Sequence, residues 1–228
     1  MSWRGRLSSG ALVSLLVVRP AASQSESRES RRWDGPEIGF NLALAFGRGQ
    51  FQQFVKAAGG VGGYGALPIA MHGGLKLRAD LSVLFHGFDS WSGPPAFDTE
   101  SYITSLRAGP QVALALGRVR VYGFWLGGFS YFATDANPDA ACGCEFTQTL
   151  HDDLTWATEV GGGVRIGFGA PSSPAGLDFG VRALRNGEAS YVTAGGVTQN
   201  GDGSFTIRPI RSEAHLLVFT VGVSGWVR

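Results

Sequence analysis

Leu75 to Gly87 reads LKLRADLSVLFHG, and its alternation decides the fold. The odd positions are Leu75, Leu77, Ala79, Leu81, Val83 and Phe85. The even positions are Lys76, Arg78, Asp80, Ser82, Leu84 and His86. A strand points successive side chains to opposite faces. This stretch therefore has one apolar face and one charged face. A tilted strand of roughly 9–11 residues crosses a bilayer, and this one is long enough.

The same device recurs along the chain. Glu37 to Gly47 sets Ile38, Phe40, Leu42, Leu44 and Phe46 against Gly39, Asn41, Ala43 and Ala45. Ser101 to Leu116, Val119 to Thr134, Leu154 to Phe168 and Leu177 to about Tyr191 follow the pattern. So does a last strand carrying Leu217, Phe219, Val221 and Val223 outward, with Thr220, Gly222, Ser224 and Trp226 inward. A Gly-rich segment near Val61 to Ile69, interrupted by Pro68, supplies the weakest strand. Pro110 removes a ladder hydrogen bond and predicts a bulge. The count is eight strands. Short turns are expected near Met71, Gly117 and Ala170. Long connections are expected at 48–60, 88–100, 135–153 and 192–207, the first with a short helix at Phe51 to Ala57. Short turns at one end and longer loops at the other mark a transmembrane barrel.

Composition agrees. Charged residues are 16% of the 228, below the roughly 25% usual for soluble domains. The net charge of +1 gives no bulk attraction for nucleic acid. Residues 1–23 read as a secretory signal peptide. Arg4 and Arg6 precede the apolar run Ala11 to Val18, and Ala21-Ala22-Ser23 supplies small residues for cleavage. Residues 24–35 form a polar linker, and 36–228 the barrel. No run reaches the roughly 18 apolar residues of a membrane helix. Only helices and closed barrels satisfy every backbone group in lipid.

The side that faces lipid follows from size. An eight-stranded barrel is just wide enough for side chains to fill. Gly39, Ala43, Gly109, Ala113, Gly161, Gly163 and Gly180 share the charged face, and small residues among long charged ones suit a narrow lumen. Leu, Phe, Val and Trp from eight strands would overfill it. The fold class is therefore all-β, an eight-stranded antiparallel up-and-down transmembrane β-barrel.

The interior then holds Lys76, Arg78, Arg107, Arg120, Arg165 and Arg182 against Glu37, Asp80, Glu159, Asp178 and Glu188. Unpaired buried charge is costly, so these are expected to pair across strands and seal the lumen. A narrow path for ions or small solutes is the competing reading. A soluble, secreted, lipocalin-like ligand-binding barrel is the third.

Other motifs carry little chemistry. Gly60 to Gly65 fits GxGxxG, but Leu67-Pro68 follows where a dinucleotide site needs a helix. Ser82 and His86 share a face near Asp80. Alternate residues on one strand sit about 7 Å apart, so no triad follows and no enzyme is expected. Cys142 and Cys144 permit a disulfide in an oxidising compartment, though a one-residue separation strains it. His151, Asp152 and Asp153 beside them make no regular metal-ligand spacing. No metal and no cofactor are expected. Phe88, Trp91 and Phe97 read as loop or interface aromatics.

Gly74-Leu75-Lys76-Leu77-Arg78-Ala79-Asp80 and Leu177-Asp178-Phe179-Gly180-Val181-Arg182 resemble the strands of small outer-membrane β-barrels of Gram-negative bacteria. That group includes the barrels of outer membrane proteins A and X, and the resemblance covers Pro36 to Arg228. It implies a porin-like monomer in the outer membrane, exported by its signal peptide. It further implies insertion by the barrel assembly machinery, and contact with membrane lipid and lipopolysaccharide. The implied role is structural, surface-interacting or adhesive. Members often end in an aromatic, whereas here Trp226 is third from last and Arg228 ends the chain.

Overall fold

The computed structural model describes residues 35–70, 74–91, 97–138, 148–168, 175–193, 196–200 and 204–226. Seven long strands run β1 (Glu37–Arg48), β2 (Ala57–Ala70), β3 (Leu75–Trp91), β4 (Phe97–Leu116), β5 (Val119–Pro138), β6 (Gln148–Phe168) and β7 (Ala175–Asn186). Four short ones follow, β8 (Glu188–Tyr191), β9 (Val197–Gln199), β10 (Phe205–Ile207) and β11 (Ile210–Glu213). The last is β12 (His215–Trp226). The long strands and β12 close into an antiparallel barrel in the order β1-β12-β7-β6-β5-β4-β3-β2. The first and last strands close it in continuous register, from Glu37 opposite Trp226 to Arg48 opposite His215. Every sheet edge of the barrel is thereby paired.

The outer face is apolar and open. Phe40 is 69% exposed, Leu106 63% and Trp125 57%. The charged face is inside. Arg78, Lys76 and Arg165 are each 0% exposed. A soluble barrel needs the reverse arrangement, so the lipocalin-like alternative is overturned. The spanning strands put their bulky residues in lipid and their charges in the lumen.

Several boundaries differ from the sequence reading. The second strand starts at Ala57 and reaches Ala70, pairing with β1 on one side and β3 on the other. Its ladder with β3 is irregular between Pro68 and Ala70. Pro110 makes no register shift, because the β4–β5 ladder keeps one register on either side of it. Irregularities lie instead at Phe85/Gly87 and Thr134/Asp135. The long connections shrink because β3, β4, β5 and β6 continue past the apolar band. Phe88, Trp91 and Phe97 thus lie on strand backbone. The expected helix is one 3-10 turn, Phe51–Gln53. The β4–β5 turn needs Gly117, whose φ is 63°. Between 192 and 207, β9 and β10 form a small hairpin.

A charge at the middle of the lipid face tests this polarity. Leu106→Arg, midway along β4, is expected to destabilise the barrel by about 2–4 kcal/mol in urea titrations from lipid vesicles. An unchanged midpoint would place that face out of lipid.

Candidate functional site

The interior is built in two halves. Toward the short-turn end it is ionic. Glu37, at the start of β1, meets Lys76 of β3 at 3.0 Å, Arg120 of β5 at 3.6 Å and Arg165 of β6. Arg165 also bonds Asp178 of β7 at 2.8 Å. Asp178 accepts from the hydroxyls of Tyr64 at 3.1 Å and Tyr122 at 2.5 Å. A second set lies nearer the waist. Asp80 meets Arg78 at 2.6 Å and, across the lumen, Arg182 at 2.8 Å. Glu159 meets Arg107 at 2.6 Å and Arg182 at 3.4 Å.

All ten residues expected in the charge network are brought together here. Six cations face four carboxylates, and other acceptors take up some of the remaining donors. Arg78 donates to Gln111 at 3.0 Å, Arg107 to Ser82 at 2.8 Å, and Lys76 to the Gly35 carbonyl at 2.9 Å. Arg78 lies 3.9 Å from the Tyr64 ring centroid and 4.4 Å from that of Phe124. Such stacking suits the flat, weakly hydrated guanidinium. Gly39 makes room for it, since a Cβ there would lie 2.3 Å from the Tyr64 ring.

Glu188 is the exception among the expected interior charges. It is exposed and pairs with Arg211 at 3.2 Å. The strand breaks at Gly187, and β8 restarts in a new facing.

Toward the other end the interior is apolar. Leu84, Ile103, Phe132, Leu184 and Leu216 pack with Phe51, Val55 and Tyr191. Phe51 and Tyr191 meet edge to face at 5.1 Å. A serine–asparagine seam separates the two halves, with Ser105 to Ser130 at 2.7 Å and Ser130 to Asn186 at 2.8 Å.

Two segments cover this apolar layer. The turn after β1 folds Phe51 inward, where it is 0% exposed. The β8–β11 ladder bends across the mouth. Asp153 of β6 accepts from the Ser190 amide at 2.7 Å, and Ser101 of β4 bonds the Val192 carbonyl at 3.3 Å. Burial pushes the Tyr191 phenol above its ordinary value, partly offset by its bond with Ser212.

Sequence reasoning missed Tyr64, because its strand was the weakest, and missed the apolar layer altogether. The inward parity of Leu84, Ile103 and Phe132 was the available signal. Ser82, His86 and Asp80 do not converge. Ser82 accepts from Arg107, Asp80 holds Arg78 and Arg182, and His86 packs 5.9 Å from the Phe51 ring. His151 bonds Ser190 at 2.9 Å, on β6 rather than in a loop. Cys142 and Cys144 lie outside the described residues.

No protein-family model matches the sequence, and no curated protein does. Solved structures match in shape. Ail, the attachment invasion locus protein of Yersinia pestis, in complex with the heparin analogue sucrose octasulfate, aligns with a TM-score of 0.50 at 12% identity. The match covers 84% of this chain and 98% of that one. Neisserial surface protein A gives 0.47 at 14% identity, covering 85% and 97%. OprG from Pseudomonas aeruginosa gives 0.43 at 13%, covering 85% and 96%.

The chain has the fold of the small outer-membrane barrels.

Asp80 bridges Arg78 and Arg182 across the lumen, so its loss leaves two buried guanidiniums each short of a charged acceptor. Asp80→Asn is expected to cost about 3–5 kcal/mol of unfolding free energy. Denaturant titration of the folded barrel in detergent measures it, and a loss under 1 kcal/mol would mean that water reaches the site.

Proposed function

We propose that this chain is exported by its N-terminal signal and placed in the outer membrane by the barrel assembly machinery. There it acts as a closed, non-enzymatic barrel in a single copy. Its role is structural, surface-interacting or adhesive, and it conducts nothing.

The observation that carries this reading is the double obstruction of the lumen. The ionic half is bridged across its width by Asp80 and Arg182. The apolar half is filled by Phe51, Phe132 and Tyr191 beneath the β8–β11 ladder, which is pinned to β4 and β6. A hydrated ion would have to break buried pairs in the first half and lose its water in the second. Mixed charge signs also give a conduit no selectivity. The strands that run past the apolar band instead supply a rigid stem for surface contacts. Loop residues carry binding more often than the scaffold beneath them.

Planar-bilayer recording tests the closure. The refolded chain, which should migrate faster unheated than boiled, is expected to give no discrete conductance steps. Steps that persist in independent preparations would transfer the role to a narrow channel. Fractionation of cells expressing the full chain tests the address, and the outer-membrane fraction is the expected one.

A further inference from the structure

The buried interior carries more positive charge than negative, and the surplus divides between its two ionic sets. Lys76, Arg120 and Arg165 share Glu37 and Asp178. Arg78, Arg107 and Arg182 share Asp80 and Glu159. The first set lies at the short-turn end, where water can offset its surplus. The second lies between the first set and the apolar layer. Its three cations are all guanidiniums, which do not lose their protons in proteins. A surplus charge held in such a place is costly.

One donor of the second set is unused. Arg107 is 2% exposed. Its Nη2 donates to Ser82 at 2.8 Å, and its Nη1 lies 2.6 Å from Glu159. Its Nε has no hydrogen-bond partner among the described residues. Arg182 comes from the opposite wall and meets the same Glu159. Its side chain points into the lumen yet keeps 7% exposure, so it borders unfilled space.

The lumen wall beside these groups is bare. Asn41, Gly62 and Ser82 lie on one ladder line across β1, β2 and β3. Gly62 puts no side chain inward, which leaves a hollow between Asn41 and the Arg107–Ser82 pair. A Cβ at Gly62 would stand 3.0 Å from Asn41 Oδ1 and 3.5 Å from its Nδ2, so the amide leans over that hollow. Asp80, the next inward residue to Ser82 on β3, holds Arg182 at 2.8 Å and brings the second guanidinium to the same level.

We propose that the waist of the lumen holds one small monovalent anion, of the chloride class, over Gly62. It lies between the Asn41 amide and the guanidiniums of Arg107 and Arg182. One negative charge balances the second set, and a divalent anion would overshoot it. Arg107 Nε and Asn41 Nδ2 are its donors, the first through a charge-assisted hydrogen bond. The apolar layer stands directly above, so the site is a dead end. The ion is held there and is not passed on, as a closed lumen requires.

The test follows urea unfolding of the refolded chain from lipid vesicles at constant ionic strength. Chloride replaces gluconate, an anion too large for the hollow. The unfolding equilibrium constant is expected to fall about tenfold for each tenfold rise in chloride once the site is mostly filled. Bromide is expected to act like chloride, and sulfate to have no such effect. Asn41→Asp keeps the shape and fixes a negative charge at the site. It is expected to exceed the parent in stability in gluconate and to ignore chloride. Asn41→Leu fills the hollow without a charge, and is expected to ignore chloride at a lower stability. Crystals of the parent chain grown in bromide are expected to show one anomalous peak in contact with Arg107 and Arg182.

Equal stability of the parent in chloride and gluconate would overturn the proposal. So would an equal response to sulfate, which would mark general salt screening. A parental chloride response kept by Asn41→Asp would overturn it as well. Should that variant fail to refold, the bromide crystal decides, and a waist without a peak overturns the site.

Discussion

The cluster around Glu37 is the interaction on which the rest of the interior depends. One carboxylate at the start of β1 gathers cations from β3, β5 and β6. Through Arg165 it reaches Asp178 of β7, and through Asp178 the hydroxyls of Tyr64 on β2 and Tyr122 on β5. Arg107 of β4 joins through Glu159 in the second set. Seven of the eight barrel strands are thus tied by inward polar groups. A slip of one residue in any strand would turn its charges into lipid and its bulky residues into the lumen. Buried pairs add little net stability over a well-packed apolar core. Their use here is to make every wrong register costly.

That same alternation is why the fold was legible. Leu75 to Phe85 carried maximal contrast between faces, and the structure keeps both faces as read. Legibility fell where contrast fell. In β2, Gly59, Gly60, Gly62 and Gly63 leave both faces small, so the strand looked doubtful although it pairs on both sides. The upper parts of β3 to β6 rise above the apolar band. There the outer face becomes polar, as at Glu100, Asp135 and Asp152, and the sequence read them as loop. Glu188 was misplaced for a different reason. Strand parity was carried through Gly187, just past Asn186, the last β7 residue paired with β6.

The apolar layer was hidden by the opposite problem. Along β5, Phe124, Leu126 and Phe132 point inward and Trp125 and Phe129 outward, so polarity does not tell the faces apart. Only the third dimension does, because these residues meet partners from non-adjacent strands. The charge network shows the complement. Its ten members were readable one strand at a time, since no charge belongs in lipid. Their pairing was not, because Asp80 and Arg182 are 102 positions apart and meet across the lumen.

The two halves of the interior impose different demands on the two ends. The ionic half can open onto water at the short-turn end, since its groups are already polar. The apolar half cannot, because Leu84, Ile103 and Leu216 would then be bared at the mouth. Phe51 and the β8–β11 ladder are the cover that this half requires. Their inward residues, Ala189, Tyr191 and Val192, are as buried as the barrel core. The covering β8–β11 ladder is therefore part of the core rather than a free loop. A single alanine at Tyr191 would lose contacts with Phe51 and Phe132 together with the bond to Ser212. Surface that remains free to recognise anything at this end lies outside that cover, on the strand tops and on the rim of the wall.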